Sequence, residues 1–556
     1  MNQLGRKRSR LEIWNLIAYL IVALYLVFLI FPLFKILRSS FDLSDGTRGL
    51  GNFERFFSDP YYFRTLVNSF EVSIVVTIFS LLLGVPLAYF YNLYEMKGKQ
   101  FLQIVIILSS MSAPFIGAYA WILVLGRNGV ITRFLESIFQ FTMPNIYGFK
   151  GIVISLTTRL FPMVFLYTSG ALKSIDNSLI EASQNLGVKG VKMFFKVIVP
   201  LCMPSLMAAS LIVFMRAMAD FGTPLMIGEG FRTFPVEIYN AYVGEVGQNF
   251  GFAAAISIVA ILITALVFLA QKWVTSKFSF TINSMHSIES KKAKPGFNIF
   301  IHGYAYILVG IAMLPQVYLW FTSFKNTSSS GNVFLDGYSL MSYKEVARRG
   351  LLRTLKNTTI IGFLSVLIIL VLAVFVSYLV VRRKSVKSQV IDTMSMIPYV
   401  LPGSVVGIAL ISSFNTKPLV LTGTVAIIII SMVIRRIPYT IRSSVAILGQ
   451  IPISMEEAAI SLGSSKIKTF FGITVPMMGN GIISGALLSW VTIITELSTS
   501  IILYTVNSQT LTVFTYVFVT RGSDGQAAAV ATILSLFTIV SLTVFMLISK
   551  DKDVTM

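Results

Sequence analysis

The chain has 556 residues, 55% of them hydrophobic and only 12% charged, with a mean hydropathy of +0.78. A soluble chain carries about 25% charged residues, so much of this surface faces something other than water. A single cysteine, Cys202, excludes an internal disulfide framework, and two histidines, His286 and His302, exclude a His-rich metal site.

In chain order, Trp14 to Phe34, Val72 to Tyr91, Phe252 to Ala270, Thr359 to Leu379 and Ala528 to Ile548 are nearly uncharged. Each reaches the roughly 20 residues an α-helix needs to cross about 30 Å of hydrocarbon. They are far longer than transmembrane β-strands, and a helix satisfies its own backbone in lipid. The composition therefore predicts an all-α integral membrane protein. Twelve spans are expected, at roughly 12–36, 69–93, 101–125, 150–171, 202–226, 251–271, 298–321, 358–381, 389–412, 419–441, 479–504 and 525–548. The first run is too long for a signal-peptide core and no small-residue cleavage site follows it, so it is read as a retained helix.

The net charge of +21 raises nucleic acid as a partner, but its placement argues against that. The N-terminus carries Arg6, Lys7, Arg8 and Arg10. If it is cytoplasmic, the same side holds Lys97 and Lys99; Lys173, Lys189, Lys192 and Lys196; and Lys291, Lys292 and Lys294. It also holds Arg382, Arg383, Lys384 and Lys387, then Lys466 and Lys468. This is the positive-inside bias. Both termini are expected in the cytoplasm and the chain in the cell (inner) membrane, with anionic lipid head groups as neighbours. One outer segment, with Arg348, Arg349, Arg353 and Lys356, departs from the rule.

The sequence repeats itself. Arg64-Thr-Leu-Val-Asn68-Ser returns as Arg353-Thr-Leu-Lys-Asn357-Thr, 289 positions later. At an offset of 276, Arg159-x-x-Pro162 returns as Arg435-x-x-Pro438, and Glu181-Ala-Ser-Gln-Asn-Leu-Gly187 as Glu457-Ala-Ala-Ile-Ser-Leu-Gly463. At the same offset Phe194-Phe195 matches Phe470-Phe471, Pro200 matches Pro476, and Asp220 matches Glu496. Such a series in register means duplication. The second copy is 13 residues shorter between its third and fourth helices, where the first copy has the outer loop near Gly126 to Gly148. An even number of spans per copy makes the halves parallel repeats about an axis along the membrane normal. The expected division is residues 1–271, a polar cytoplasmic linker 272–297, and residues 298–556.

The segments after the fourth helix of each copy, at about 172–200 and 446–476, carry the functional signal. Both begin Ser-x-x-Glu, at Ser178 and Ser454, which reads as a capping box. Both place a glycine, Gly187 or Gly463, six residues after the Glu, where it can supply a left-handed turn. A helix entering the membrane at Pro200 or Pro476 follows. This pair of loops resembles the EAA loop of ABC importer permeases, whose pattern is Glu-Ala-Ala, three residues, Gly, and later a Pro. Ser183 stands where that pattern has Ala.

The resemblance implies a type I permease fold, with Glu181, Ala182, Gly187, Glu457, Ala458 and Gly463 on elements that dock in an ATPase groove. It further implies two copies of a cytoplasmic ABC ATPase and an extracytoplasmic solute-binding protein as partners. No cofactor is expected on this chain, since ATP and Mg belong to the ATPase. The sequence has no Gly-x-x-x-x-Gly-Lys-Ser/Thr loop, so it must borrow that activity. Fusion of two permeases, with Ala219-Asp220-Phe-Gly-Thr-Pro224 and Glu496-Leu-Ser-Thr-Ser-Ile-Ile-Leu-Tyr504, looks like the ferric iron group. Relatives of that group import thiamine, phosphonates, polyamines or sugar phosphates.

Charges within lipid usually face a protein interior or a wet path. Arg159, Asp220, Arg435 and Glu496 are therefore candidates for the translocation path. The alternative is structural pairing. Arg216, four residues before Asp220, is the helical partner that spacing suggests, whereas Glu496 has Thr492 there and needs another. A carboxylate suits a cation and an arginine suits a phosphate or carboxylate, so charge alone does not choose the solute. Phe53, Phe56, Phe57, Tyr61, Tyr62 and Phe63 read as an interfacial aromatic belt or a face for a binding protein. The 22 methionines are scattered and read as apolar filler. Two other classes compete. A secondary transporter would have no ATPase and no use for matching loops. A membrane enzyme would need a convergent His, Cys or carboxylate cluster.

Overall fold

Helices form wherever the apolar runs predict them, and their ends follow local chemistry. The structure, a computed structural model, describes residues 13–110, 112–244, 249–277, 290–328, 331 and 334–549. The helix Pro60–Leu93 starts at a proline, whose missing N–H is no loss at a first helical position. The preceding Asp59 accepts a hydrogen bond from the Tyr61 N–H and caps it. Outward faces carry Leu20, Leu82, Leu266 and Phe363, all exposed, as lipid-facing surfaces require. The departure from all-α structure is small: strands Lys325–Thr327 and Phe334–Tyr338 pair antiparallel in the segment before the helix Leu351–Arg382.

Among the described residues, nine helices are long and apolar enough to span a membrane, or up to eleven if each sharply bent pair counts as one span. Val425–Gln450 is 26 residues long but carries Arg435, Arg436 and Arg442, which keep it out of that count. Four expected spans are not continuous. The run 101–125 breaks between Ser110 and Pro114, and the run 389–412 bends by 112° between Val400 and Gly403. Pro114 and Pro402 force the residues before them, Ala113 and Leu401, out of helical geometry. The run 202–226 stops at Met218 and restarts at Gly222, and 479–504 stops at Ile494 and restarts at Ser500. The expected linker is also shorter than read, because the helix Phe250–Lys277 runs on and the next begins at Pro295. His286 lies outside the described residues.

The two copies exchange elements. Trp14, Ala18, Ile21 and Leu29 of the first helix pack with Ile369, Ala373 and Val376 of the second copy. In mirror fashion, Ile301, Ala305 and Leu308 pack with Leu87, Leu102 and Phe165 of the first. The short helices after the breaks do likewise. Phe115 and Tyr119 bury against Phe514 and Ala527–Ala531, and Val405 and Ile408 against Phe234 and Phe252. Neither half buries its own apolar surface alone.

Candidate functional site

Each half builds one buried ion pair at its helix breaks. Arg159 lies in the middle of the helix Phe149–Ser174 and pairs with Asp220 at 3.2 Å. Arg435, at the matching place in Val425–Gln450, pairs with Glu496. Both acids sit just past the end of the fifth helix and take hydrogen bonds from the short segment that follows. Asp220 accepts from the Thr223 N–H at 2.8 Å. Glu496 accepts from the Ser498 hydroxyl and from the Thr499 and Ser500 N–H groups. Arg435 also donates to Ser498 and Thr499 hydroxyls, each at 3.0 Å. A further bond ties the break in helix five to the break in helix three of the same copy. Thr223 donates to the Pro114 carbonyl at 3.5 Å and Thr499 to the Gly403 carbonyl at 3.2 Å. A side chain at Gly403 would collide with Ser498 and Arg435.

The spacing rule that joined Arg216 to Asp220 fails here. The chain leaves the helix after Met218, so Asp220 is off that helical face and turns to Arg159. Arg216 stays on the helix and faces Tyr439 and Tyr399 of the other copy.

The breaks surround a central cavity of about 370 Å³. Arg159, Asp220, Arg435 and Glu496 all line it, together with Arg216, Arg436, Tyr167, Tyr399 and Tyr439. The ion pairs thus form part of its wall, with their charges mutually compensated. The last five residues named were not singled out in the sequence as lining groups. They have no counterpart in the other copy, so repeat matching passes over them. Among the described residues, neither Arg216 nor Arg436 has a carboxylate within ion-pair distance. The Arg436 Nε is buried without a hydrogen-bond partner among those residues.

The helices Asn177–Asn185 and Ser454–Ser461 follow the fourth helix of each copy. The expected capping boxes do not form. Asp176 caps the first helix by accepting from the Ser178 N–H, while Glu181 accepts from the Asn177 side chain. The second has no side-chain cap, because Ile453 stands at the N-cap position and Ser454 is already inside the helix. The turns do form: Gly187 and Gly463 have φ of +80° and +91°, which side chains rarely adopt. Glu181, Ala182, Glu457 and Ala458 are all exposed. Beside the glycines, Leu186 and Leu462 are 83% and 90% exposed. The paired Phe194-Phe195 and Phe470-Phe471 that follow begin π-helical turns in both copies.

The two helices are anchored differently. Glu456 is buried and pairs with Arg382 at 2.9 Å, and Arg382 also donates to the Ile451 carbonyl at 2.7 Å. At the matching positions of the first copy stand Ile180 and Leu93, within one apolar cluster. The linker end lies beside the first of these helices: Lys291 exchanges backbone hydrogen bonds with Leu93 and Glu95, and its amine donates to Gln184. His302 joins this contact, its Nε2 accepting from the Lys97 N–H at 3.0 Å.

The aromatic segment splits in two. Phe56 is fully buried and Tyr62 packs edge-on to Phe252, whereas Phe57 and Phe63 are exposed.

The comparisons agree with this architecture. The family described as "Binding-protein-dependent transport system inner membrane component" matches twice, at residues 64–280 and 369–552. The chain is 29% identical to the ferric transport system permease protein FbpB of Actinobacillus pleuropneumoniae, over 92% of this chain and 75% of that one. It is 28% identical to the putative ferric transport system permease protein FbpB 1 of Haemophilus influenzae, over 89% and 78%. The spermidine/putrescine transport system permease protein PotB of Haemophilus influenzae is 29% identical over 43% of this chain and 87% of that one. A duplicated match covering most of the chain shows that this protein belongs to the binding-protein-dependent transport system inner membrane components, as a fused double permease of the ABC importer type.

Proposed function

We propose that this chain is the transmembrane part of an importer for ferric iron or a ferric complex. The solute arrives from an external binding protein, and two copies of a separate ATPase drive its entry to the cytoplasm. The observation that carries the solute is similarity to ferric transport permeases along nearly the whole chain, where the polyamine permease matches under half of it. On this reading Asn177–Asn185 and Ser454–Ser461 dock in the ATPase grooves, with Leu186 and Leu462 as the apolar tips. Their face is then cytoplasmic, and so are both termini. ATP and Mg are held by the ATPase. Arg159, Asp220, Arg435 and Glu496 belong to the wall of the path.

A strain lacking the gene provides the test, with uptake of radioactive ferric iron measured on complementation. Competition by excess ferric complex and none by spermidine or 2-aminoethylphosphonate is expected. Uptake of either competitor at the expense of iron would replace the solute assignment and leave the importer reading intact. Purification without any bound ATPase, with uptake independent of ATP, would favour a secondary transporter.

A further inference from the structure

The ion pairs repeat in both copies, and the rest of the charge in the central cavity does not. At the 276-residue offset, Arg216 corresponds to Thr492 and Arg436 to Leu160. Tyr439 likewise corresponds to Met163, and Tyr167 to Ser443. Each of these groups is carried by one copy and missing from the other, so duplication does not account for them. They nevertheless converge from opposite halves. Arg216 faces Tyr439 and Tyr399, and Arg436 faces Tyr439.

The charge balance follows. Arg159 and Arg435 are matched by Asp220 and Glu496, whose oxygens are further occupied by backbone and hydroxyl donors. Arg216 and Arg436 face tyrosine hydroxyls and have no carboxylate within ion-pair distance among the described residues; Arg436 adds to the field on Glu496, whose ion pair is with Arg435. Two guanidinium groups in a cavity of about 370 Å³ leave a surplus of positive charge. A bare trivalent cation would be repelled there. An oxyanion would be held by charge-assisted hydrogen bonds from guanidinium forks, with tyrosine hydroxyls as further donors. A cavity of this size is in the range of small-molecule sites, about 300–1,000 Å³.

We propose that the cavity is an oxyanion site, with Arg216 and Arg436 as its binding residues, and that iron crosses as an anionic complex with a phosphate-like or carboxylate ligand. This rests on the reading of the cavity as the path, but the site itself can be tested without transport. The purified permease–ATPase complex is titrated by calorimetry with inorganic phosphate and with citrate, with and without ferric iron. The variants are Arg216→Gln, Arg436→Gln and the charge-keeping Arg216→Lys. Wild type is expected to bind at least one of the two anions. Each Gln variant should weaken that binding at least tenfold, and Arg216→Lys should weaken it less. Co-purification with the ATPase and an unchanged melting temperature are expected, which separates the effect from misfolding. Stronger binding of phosphate assigns a phosphate-like ligand, and stronger binding of citrate a carboxylate. No binding of either anion at millimolar concentration, or binding unchanged in the Gln variants, overturns the site. If wild type binds the anion but reconstituted vesicles take up no ferric complex, the ferric reading fails and the anion site stands.

Discussion

Glu496 accepts hydrogen bonds from Arg435, Ser498, Thr499 and Ser500 while almost wholly buried. Removing one partner of such a pair leaves a charge in a dry site, at a cost of about 3–5 kcal/mol. Glu496→Gln is therefore expected to lower the thermal stability of the purified chain and its yield. Asp220→Asn should do the same to a smaller degree, since Asp220 gathers fewer donors. Unchanged melting with slowed uptake would instead make Glu496 a solute ligand rather than a wall residue. The register of the two copies made the Arg and acid positions legible in the sequence. That they touch was not legible, because the helix ends at Met218 and Ile494 were invisible inside apolar runs. The same blindness tied Arg216 to Asp220. Tyr399, Arg436 and Tyr439 would have emerged only from a search for positions where the copies differ within a shared environment.

At the level of elements, the short helix and glycine turn of each loop were readable, and their caps were not. A Ser-x-x-Glu pattern names donors and acceptors but does not fix where the chain enters the helix, which begins after Asp176 in one copy and after Ile453 in the other. Gly187 and Gly463 have open space where a side chain would stand, so substitution acts through backbone conformation alone. A β-branched residue in the left-handed region costs roughly 1–2 kcal/mol. Gly187→Val and Gly463→Val are expected to leave assembly intact and to lower solute-stimulated ATPase activity, whereas Gly→Asn should be milder because Asn tolerates that region. Full stimulation in both Val variants would remove the coupling role from these loops. The Arg382–Glu456 anchor allows a second test. Glu456→Ile alone strands Arg382 and should destabilise the second loop. Glu456→Ile with Arg382→Leu reproduces the apolar pair of the first copy and should recover most of the loss. A double-mutant cycle on melting temperature reads this directly. Equal damage in the single and double variants would argue that the ion pair is needed for more than anchoring.

At the scale of the whole molecule, duplication and parallel halves were legible because identity recurs in register. The exchange of first helices was not, since apolar faces on Ile13–Ser39 and Pro295–Thr322 do not say which copy they cover. The exchange predicts that chains cut between residues 277 and 290 fail to accumulate separately and co-purify when expressed together. Stable accumulation of either half alone would contradict it. The central claim is that an ATPase docks on the face bearing the two Glu-Ala helices. Cys202 is the one cysteine in the sequence and is buried, so an added surface cysteine reports alone. The measurement is thiol cross-linking from Leu186→Cys, Leu462→Cys and Leu335→Cys to the co-purified ATPase. Leu335 lies in the strand pair reached by the helix Pro295–Thr322 after it leaves that face. Cross-links from positions 186 and 462 and none from 335 are expected; cross-linking from 335, or from none of the three, would contradict the account.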